Sequence, residues 1–230
     1  MFDKKYDVAI VIPLYNEEGV IRNVLLELQE QYPEYAIIVV DDCSSDSSYE
    51  AACIKDIFLL KHAINLGQGA ALQTGIEYAL KIGCKYAITF DSDGQHNPLD
   101  IKPFIEKLHE GQVDIILGSR FLGETVNMPT RKKYLLKASR VFTWLTTGLV
   151  LTDSHNGFRA INIGAFPNFQ ITQNRMAHAS EIFSIIKHLK MRYMELPCTI
   201  RYTEYSIQKG QSMWNSINIV LDYFVGNLSK

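Results

Sequence analysis

The sequence predicts an α/β fold: a mostly parallel β-sheet flanked by helices, in a single domain. Three observations carry that prediction. Short runs of β-branched and aromatic residues alternate with segments of helical apolar spacing along most of the 230 residues, the pattern of strand–helix units with right-handed crossovers. The strand-like runs are apolar almost throughout, as strands covered on both faces are. Three of them end in polar clusters, at Tyr15-Asn16-Glu17, Asp41-Asp42 and Asp91-Ser92-Asp93. Open sheets of this kind bind ligands outside the carboxyl ends of their strands.

Composition narrows the function classes. A net charge of −2 gives no whole-protein attraction to nucleic acid, so no nucleic-acid partner is expected. The four cysteines, Cys43, Cys53, Cys84 and Cys198, have no zinc spacing and read as free thiols of a reducing, cytoplasmic compartment. No signal peptide is read at the amino terminus. The longest apolar run, residues 141–151, is about half the ~20 residues of a membrane span.

Taken in order, residues 8–12 form a buried strand, which Pro13 should end. Asn16 is expected to cap a helix whose first turn carries Glu17 and Glu18. Val20, Ile21, Val24, Leu25 and Leu28 then repeat at helical spacing to about Tyr32, and Pro33 closes the helix. Residues 36–40 are a second buried strand, followed by a helix that Asp46 and its neighbours cap. Residues 57–60 make strand three, and the turn Asn65-Leu66-Gly67-Gln68-Gly69 leads into a helix carrying Ala70, Leu72, Ile76 and Leu80. Strand four, residues 86–90, stops at Asp91-Ser92-Asp93-Gly94-Gln95-His96. A helix over about 98–110 precedes strand five, residues 114–119, with Arg120 at its exit. Residues 131–151 mix Arg131, Lys132, Lys133, Lys137 and Arg140 with Leu135, Phe142 and Trp144. Such a stretch suits either a core helix or one lying on an anionic bilayer. The turn through Asp153 and Gly157 enters a short strand at Arg159, and residues 179–190 form a helix carrying Glu181. Residues 194–202 read as an edge strand, because Pro197 removes a ladder donor. Lys209-Gly210-Gln211-Ser212 is a loop, and residues 213–230 form an amphipathic helix beyond a main domain of residues 1–212.

An acidic pair spaced two apart at a strand exit is a hard-oxygen site, suited to Mg²⁺ or Mn²⁺ with positions left for substrate phosphates. By itself that signal is weak, since 25 acidic residues make chance pairs common. The order of motifs is more specific. Ile12-Pro13-Leu14-Tyr15-Asn16-Glu17, Asp41-Asp42-Cys43-Ser44, Asn65-Leu66-Gly67-Gln68-Gly69 and Asp91-Ser92-Asp93-Gly94-Gln95-His96 together resemble family 2 of the inverting glycosyltransferases, with the Rossmann-like GT-A fold. Gly118-Ser119-Arg120, the stretch from Asp153 to Arg159, and Lys209 to Ser212 are similar to the polyprenyl-phosphate glycosyltransferase group, which contains dolichol-phosphate mannosyltransferase.

The resemblance implies a transfer from a UDP- or GDP-linked sugar to a polyprenyl phosphate or other lipid-linked carrier, with peripheral contact at the cytoplasmic membrane face. It implies that Pro13, Tyr15, Glu17, Asp41, Asp42, Gly67 and Asp91 line the nucleotide site. Asp91, Asp93 and Gln95 would hold the cation, Arg120, Arg131 and Arg159 the acceptor phosphate, and Lys209 and Ser212 a loop over the diphosphate. Asp153, Glu181 and Arg120 are the catalytic candidates. A phosphate acceptor arrives ionised and needs arginine donors, whereas a sugar hydroxyl needs a general base, for which Asp153 and Glu181 stand ready. Each has a plainer reading, Asp153 as a turn cap and Glu181 as a solvated helix residue. His155 and His178 read as ordinary polar residues, and Cys43 as a neutral replacement of a small residue. Transfer to a polysaccharide hydroxyl and a non-catalytic nucleotide-binding module remain as alternatives. A dinucleotide-dependent oxidoreductase is disfavoured, since no GxGxxG follows the first strand.

Overall fold

The computed structural model describes residues 5–126, 140, 143–145 and 147–202. Strands β1 (Val8–Leu14), β2 (Ala36–Asp41), β3 (Phe58–Lys61) and β4 (Tyr86–Thr89) alternate with helices α1 (Ile21–Gln31), α2 (Ser48–Ala52) and α3 (Gln68–Lys81). A 3-10 turn (Pro98–Asp100) runs into α4 (Ile101–His109), then β5 (Ile115–Ser119), β6 (Thr125–Val126) and β7 (Arg159–Ile161). Helix α5 (His178–His188), β8 (Tyr193–Pro197) and β9 (Ile200–Arg201) follow. The main sheet has the order β3-β2-β1-β4-β7-β5-β8, and β6 pairs with β9 in a small second sheet. All main-sheet ladders are parallel except those of β7, which runs antiparallel to both β4 and β5.

Strand alternation divides the core between two faces. Ile10, Ile12, Ile37, Val39 and Ile88 pack with α1 and α4, while Ala9, Val11, Ile38, Val40 and Ala87 pack with α3 and α5. Both faces are therefore covered, which is why these strands read as unbroken apolar runs.

Several local expectations change. Pro13 does not end β1; it pairs in register with Val40. It has the parity of Val11, whose carbonyl accepts from Phe90 N at the last rung toward β4. The donor Pro13 lacks would thus point past the end of β4, where no ladder needs it. Asn16 does not cap α1, which starts at Ile21 after a turn in which Val20 and Ile21 donate to the Glu17 carbonyl. Instead Asn16, at φ 54°, is zipped to the next loop: its N–H donates to Ser44 Oγ (3.0 Å) and its Oδ1 accepts from Ser45 N (2.8 Å). The edge strand expected over 194–202 is split into β8, at the sheet edge, and β9. All four cysteines are free thiols. Arg131, Lys132, Lys133, Lys209, Ser212 and the expected C-terminal helix lie outside the described residues. Among the described residues no helix is long and apolar enough to cross a membrane.

Candidate active site at the carboxyl edge

Because β7 runs backwards, its first residue lies beside the last residue of β4 and the middle of β5: Arg159 pairs with Thr89 and with Leu117. The segment before β7 is thereby brought to the same edge as the ends of β1, β2 and β4. Thr89 Oγ1 donates a very short hydrogen bond to the Gly157 carbonyl, joining the two loops directly.

The acidic pair sits at the centre of this edge. Asp91, with 30% of its side chain exposed, accepts from Gln68 Nε2 (3.1 Å) and meets His96 Nε2 at 3.0 Å. Burial works against its charge, but the hydrogen bond and charge of His96 and the guanidinium of Arg159 hold it below the usual carboxylate range. Asp93 goes the other way: burial, and then the Asp91 charge, push it up to about 6. It accepts from Gln95 N (3.0 Å) and from Gln95 Nε2 (2.5 Å). Gln95 therefore spends its amide nitrogen on Asp93 and keeps only its oxygen for a cation. Among the described residues no three His, Cys, Asp or Glu side chains form a ready metal cage. Two crowded carboxylates with hard oxygens still fit Mg²⁺ or Mn²⁺, which complete their shells from substrate phosphates and water.

On the β1–β2 side, Tyr15 is 47% exposed, so its ring is available at the strand exit. Glu17 is 8% exposed, and its charge reaches Asp93. Pro13 and Asp41 are buried behind them. Asp42 is buried too, its carboxylate accepting from Leu66 N (2.9 Å) and Gly67 N (2.6 Å) and meeting His62 Nδ1 at 2.7 Å. It thus shapes the glycine turn that begins α3. Gly67 has φ 104°, and a Cβ there would stand 2.5 Å from the Asn174 carbonyl oxygen; one on Gly69 would stand 2.0 Å from that of Gln173. Only glycine allows both this conformation and this approach.

The remaining candidates take other places than expected. Arg120 is 6% exposed. It donates through Nε to Asp153 Oδ2 (2.6 Å), through Nη1 to Tyr202 Oη (2.8 Å) and through Nη2 to the His155 carbonyl (2.8 Å). Each nitrogen of the guanidinium has a protein acceptor, so Arg120 serves this turn as a structural cation. Asp153 also accepts from Arg120 N and His155 N, which fits the turn-cap reading. Glu181 accepts from Thr172 N (3.0 Å), Gln173 N (2.8 Å) and, very closely, Thr172 Oγ1. It clamps the 172–173 loop and is not a merely solvated side chain. Arg159 is 2% exposed, its Nη1 has no hydrogen-bond partner, and burial lowers its pKa to about 10 despite Asp91 and Asp153. It is a buried countercharge to Asp91 and Asp153.

Gln68, His96, Gly157 and His178 were given no role from the sequence, yet they surround Asp91. His178, 3% exposed, meets the Arg175 carbonyl through Nδ1 at 2.7 Å. Burial and then Arg159 lower its pKa to about 4, so the imidazole is neutral. Gln68 and His96 lie inside the motifs Asn65–Gly69 and Asp91–His96, which is the signal the sequence holds for them.

Residues 9–194 match the family described as Glycosyl transferase family 2. The chain is 33% identical to the uncharacterized protein MJ1222 of Methanocaldococcus jannaschii, over 94% of this chain and 90% of that one. It is also 33% identical to the UDP-N-acetylglucosamine–dolichyl-phosphate N-acetylglucosaminyltransferase of Methanococcus voltae, over 90% of each. An undecaprenyl-phosphate mannosyltransferase of Micrococcus luteus is 31% identical over 66% of this chain and 65% of that one. Among solved structures, glucosyl-3-phosphoglycerate synthase of Mycobacterium tuberculosis, with Mn²⁺, UDP-glucose and phosphoglyceric acid, superposes with a TM-score of 0.73. At 15% identity over 97% of this chain and 79% of that one, this likeness speaks to the GT-A fold.

Proposed function

The chain belongs to glycosyl transferase family 2, and from that premise we propose that its carboxyl-edge site moves a sugar from a nucleoside-diphosphate sugar to the phosphate of a polyprenyl or other lipid-linked carrier. The relatives named for dolichyl-phosphate and undecaprenyl-phosphate acceptors support this reading. The single observation that carries the choice of acceptor is the state of the two candidate bases. Asp153 is bound to Arg120, and Glu181 accepts three donors from the 172–173 loop. A hydroxyl acceptor must lose a proton to a base within reach; a phosphate arrives already ionised.

In this reading the nucleobase lies against exposed Tyr15, with Glu17, Asp42 and Gly67 framing the nucleotide side. Asp91 and Asp93, with the Gln95 amide oxygen, hold Mg²⁺ or Mn²⁺. When bound, the cation offsets the charge that develops on the leaving diphosphate. The chain's own work is orientation. Asp42 grips the Gly67–Gly69 turn, Glu181 holds the 172–173 loop that abuts it, and His96 and then buried Arg159 keep Asp91 ionised. Arg131, Lys209 and Ser212 remain the proposed contacts to acceptor phosphate and diphosphate. Exposed Trp144, Leu145 and Val150, at 54%, 69% and 73%, support peripheral contact at the cytoplasmic membrane face.

Two measurements test the reading. Thermal shift with UDP and GDP, with and without Mn²⁺, identifies the base, because a ligand of the folded state raises its stability by mass action. Transfer from the labelled sugar nucleotide is then followed with a polyprenyl phosphate and with an oligosaccharide offered together. Label extracted into organic solvent supports the lipid acceptor, and label appearing only on the oligosaccharide overturns it.

A further inference from the structure

The Asp91 carboxylate is held on three sides by residues from three separate stretches. Gln68, in the first turn of α3, donates from Nε2 to Oδ1 at 3.1 Å. His96 Nε2 lies 3.0 Å from Oδ2. Gly157 lies directly against it, since a Cβ there would stand 2.6 Å from Oδ2 and 2.9 Å from Oδ1. Each carboxylate oxygen thus has one side-chain donor, and the bare backbone of Gly157 closes one face. Asp93 lacks such a frame: the bonds to its carboxylate come from Gln95, two positions along the same loop.

The His96 ring is costly where it lies. It is 6% exposed, packed at ring-centroid distances of 5.4 Å from Phe90 and 5.2 Å from Phe158. Its Nδ1 has no hydrogen-bond partner, and a buried polar atom left unmet costs about 1–3 kcal/mol. A phenyl ring would fill the same place without that cost. What the imidazole adds is the Nε2–H directed at Asp91.

We propose that Gln68 and His96 are positioning residues that lock the Asp91 carboxylate for a divalent cation. The inference rests on the metal reading of Asp91 and Asp93 above. Donors that orient a metal ligand are worth about 10–100-fold in metal affinity. A carboxamide also fixes a carboxylate without cancelling its charge, which a lysine or arginine at position 68 would do.

The test is Mn²⁺ binding to the full chain, read from the free-ion electron paramagnetic resonance signal in the presence of whichever of UDP and GDP stabilises the unaltered protein. Gln68→Met keeps length and loses the donor; His96→Phe keeps the ring and loses the donor; His96→Gln keeps a donor in place of Nε2 and loses the ring. We expect the first two to weaken Mn²⁺ binding about 10–100-fold, with metal-free nucleotide affinity unchanged and melting temperature not lowered. His96→Gln should stay within about threefold of the unaltered protein, far less than the loss of an orienting donor. Unchanged Mn²⁺ affinity in Gln68→Met and His96→Phe overturns the proposal and leaves the metal reading standing. So does a loss in His96→Gln as large as in His96→Phe, which would trace the effect to packing. If the unaltered protein binds no Mn²⁺ with either nucleotide, the metal reading itself fails, and the positioning role with it.

Discussion

Asp91 and Asp153 lie on loops at the same edge of the sheet, and they are held in opposite ways. Asp153 is gripped by a guanidinium, with its side chain fully buried beside Arg120. Asp91 keeps 30% of its side chain exposed, and a carboxamide and an imidazole hold its oxygens. A carboxylate paired with a fixed cation has spent its charge inside the protein. One pinned by a carboxamide and an imidazole, with Arg159 felt as a field and not as a hydrogen bond, is oriented and still has charge to offer. The difference between a structural acid and a ligand-binding acid is thus set by the partner, not by position along a strand.

The largest expected effect breaks the exposed side of this comparison. Asp93→Asn should lower kcat/KM by on the order of 10²–10³-fold, the scale of removing one preorganised stabiliser of developing charge. Its melting temperature should hardly move, and excess EDTA should abolish turnover of the unaltered protein. Substantial activity in chelator would mean that the pair serves something other than a cation.

The buried side should answer in stability. Arg120→Met leaves Asp153 without its cation and should cost roughly 3–5 kcal/mol, as breaking a buried pair does, read from urea midpoints. Arg120→Met with Asp153→Asn should recover part of that loss. If Arg120→Met folds normally and raises acceptor KM instead, Arg120 is a phosphate donor after all and the comparison fails.

His178 adds a pH dependence to the Asp91 neighbourhood. Its folded pKa of about 4 lies below the unfolded value near 6.5, so between these pH values the unfolded chain binds more protons. Stability from this residue is present at neutral pH and is lost as pH falls from 6.5 toward 4, about 2 kcal/mol of it by pH 5. His178→Asn, which keeps a donor for the Arg175 carbonyl, should lose about that much less stability between pH 7 and pH 5. An equal loss in both proteins would remove His178 from the account.

Glu181 sharpens the comparison at smaller cost. If it clamps the 172–173 loop, Glu181→Gln should cost about 1–2 kcal/mol of stability and leave most of kcat intact. Near-complete loss of kcat with an unchanged melting temperature would restore it as a base. The smallest effect concerns Cys43, which sits at φ 61°, a left-handed conformation that costs a non-glycine residue on the order of 1 kcal/mol. Cys43→Gly should raise the melting temperature slightly, so the residue is not neutral; no rise would mean that the Cys43 Sγ contact to the Ala63 carbonyl offsets the strain.

The fold was legible because its strands are covered on both faces. Continuous apolar runs at residues 8–12 and 36–40 and amphipathic spacing in α1 and α3 leave few alternatives to a parallel sheet. What the pattern could not give was direction. Nothing in Arg159-Ala160-Ile161 distinguishes a reversed strand between β4 and β5 from another parallel one. The site was legible as a set of positions, since the motifs at strand ends do converge on one edge. Side-chain orientation was not. Arg120 and Asp153 stand 33 positions apart, and only the packed structure turns them toward each other instead of toward solvent. Likewise Gln68 becomes a partner of Asp91 only once α3 is docked on β1.

The reversed strand also sets an order of assembly. β1 to β4 can pair as soon as the first ninety or so residues leave the ribosome, although the β1–β4 ladder joins Val8 to Tyr86 across the whole of that stretch. β5 has no neighbour in that half-sheet until β7 arrives to stand between them. The bond from Thr89 to Gly157 spans 68 positions, and it waits for residues that are synthesised after the half-sheet is complete. Gly157 is one wall of the Asp91 frame. A growing chain therefore acquires the Asp91 carboxylate early and the setting of that carboxylate last. Catalytic competence can then serve as a reporter of complete folding, and truncations ending before β7 should yield a half-sheet that is inert.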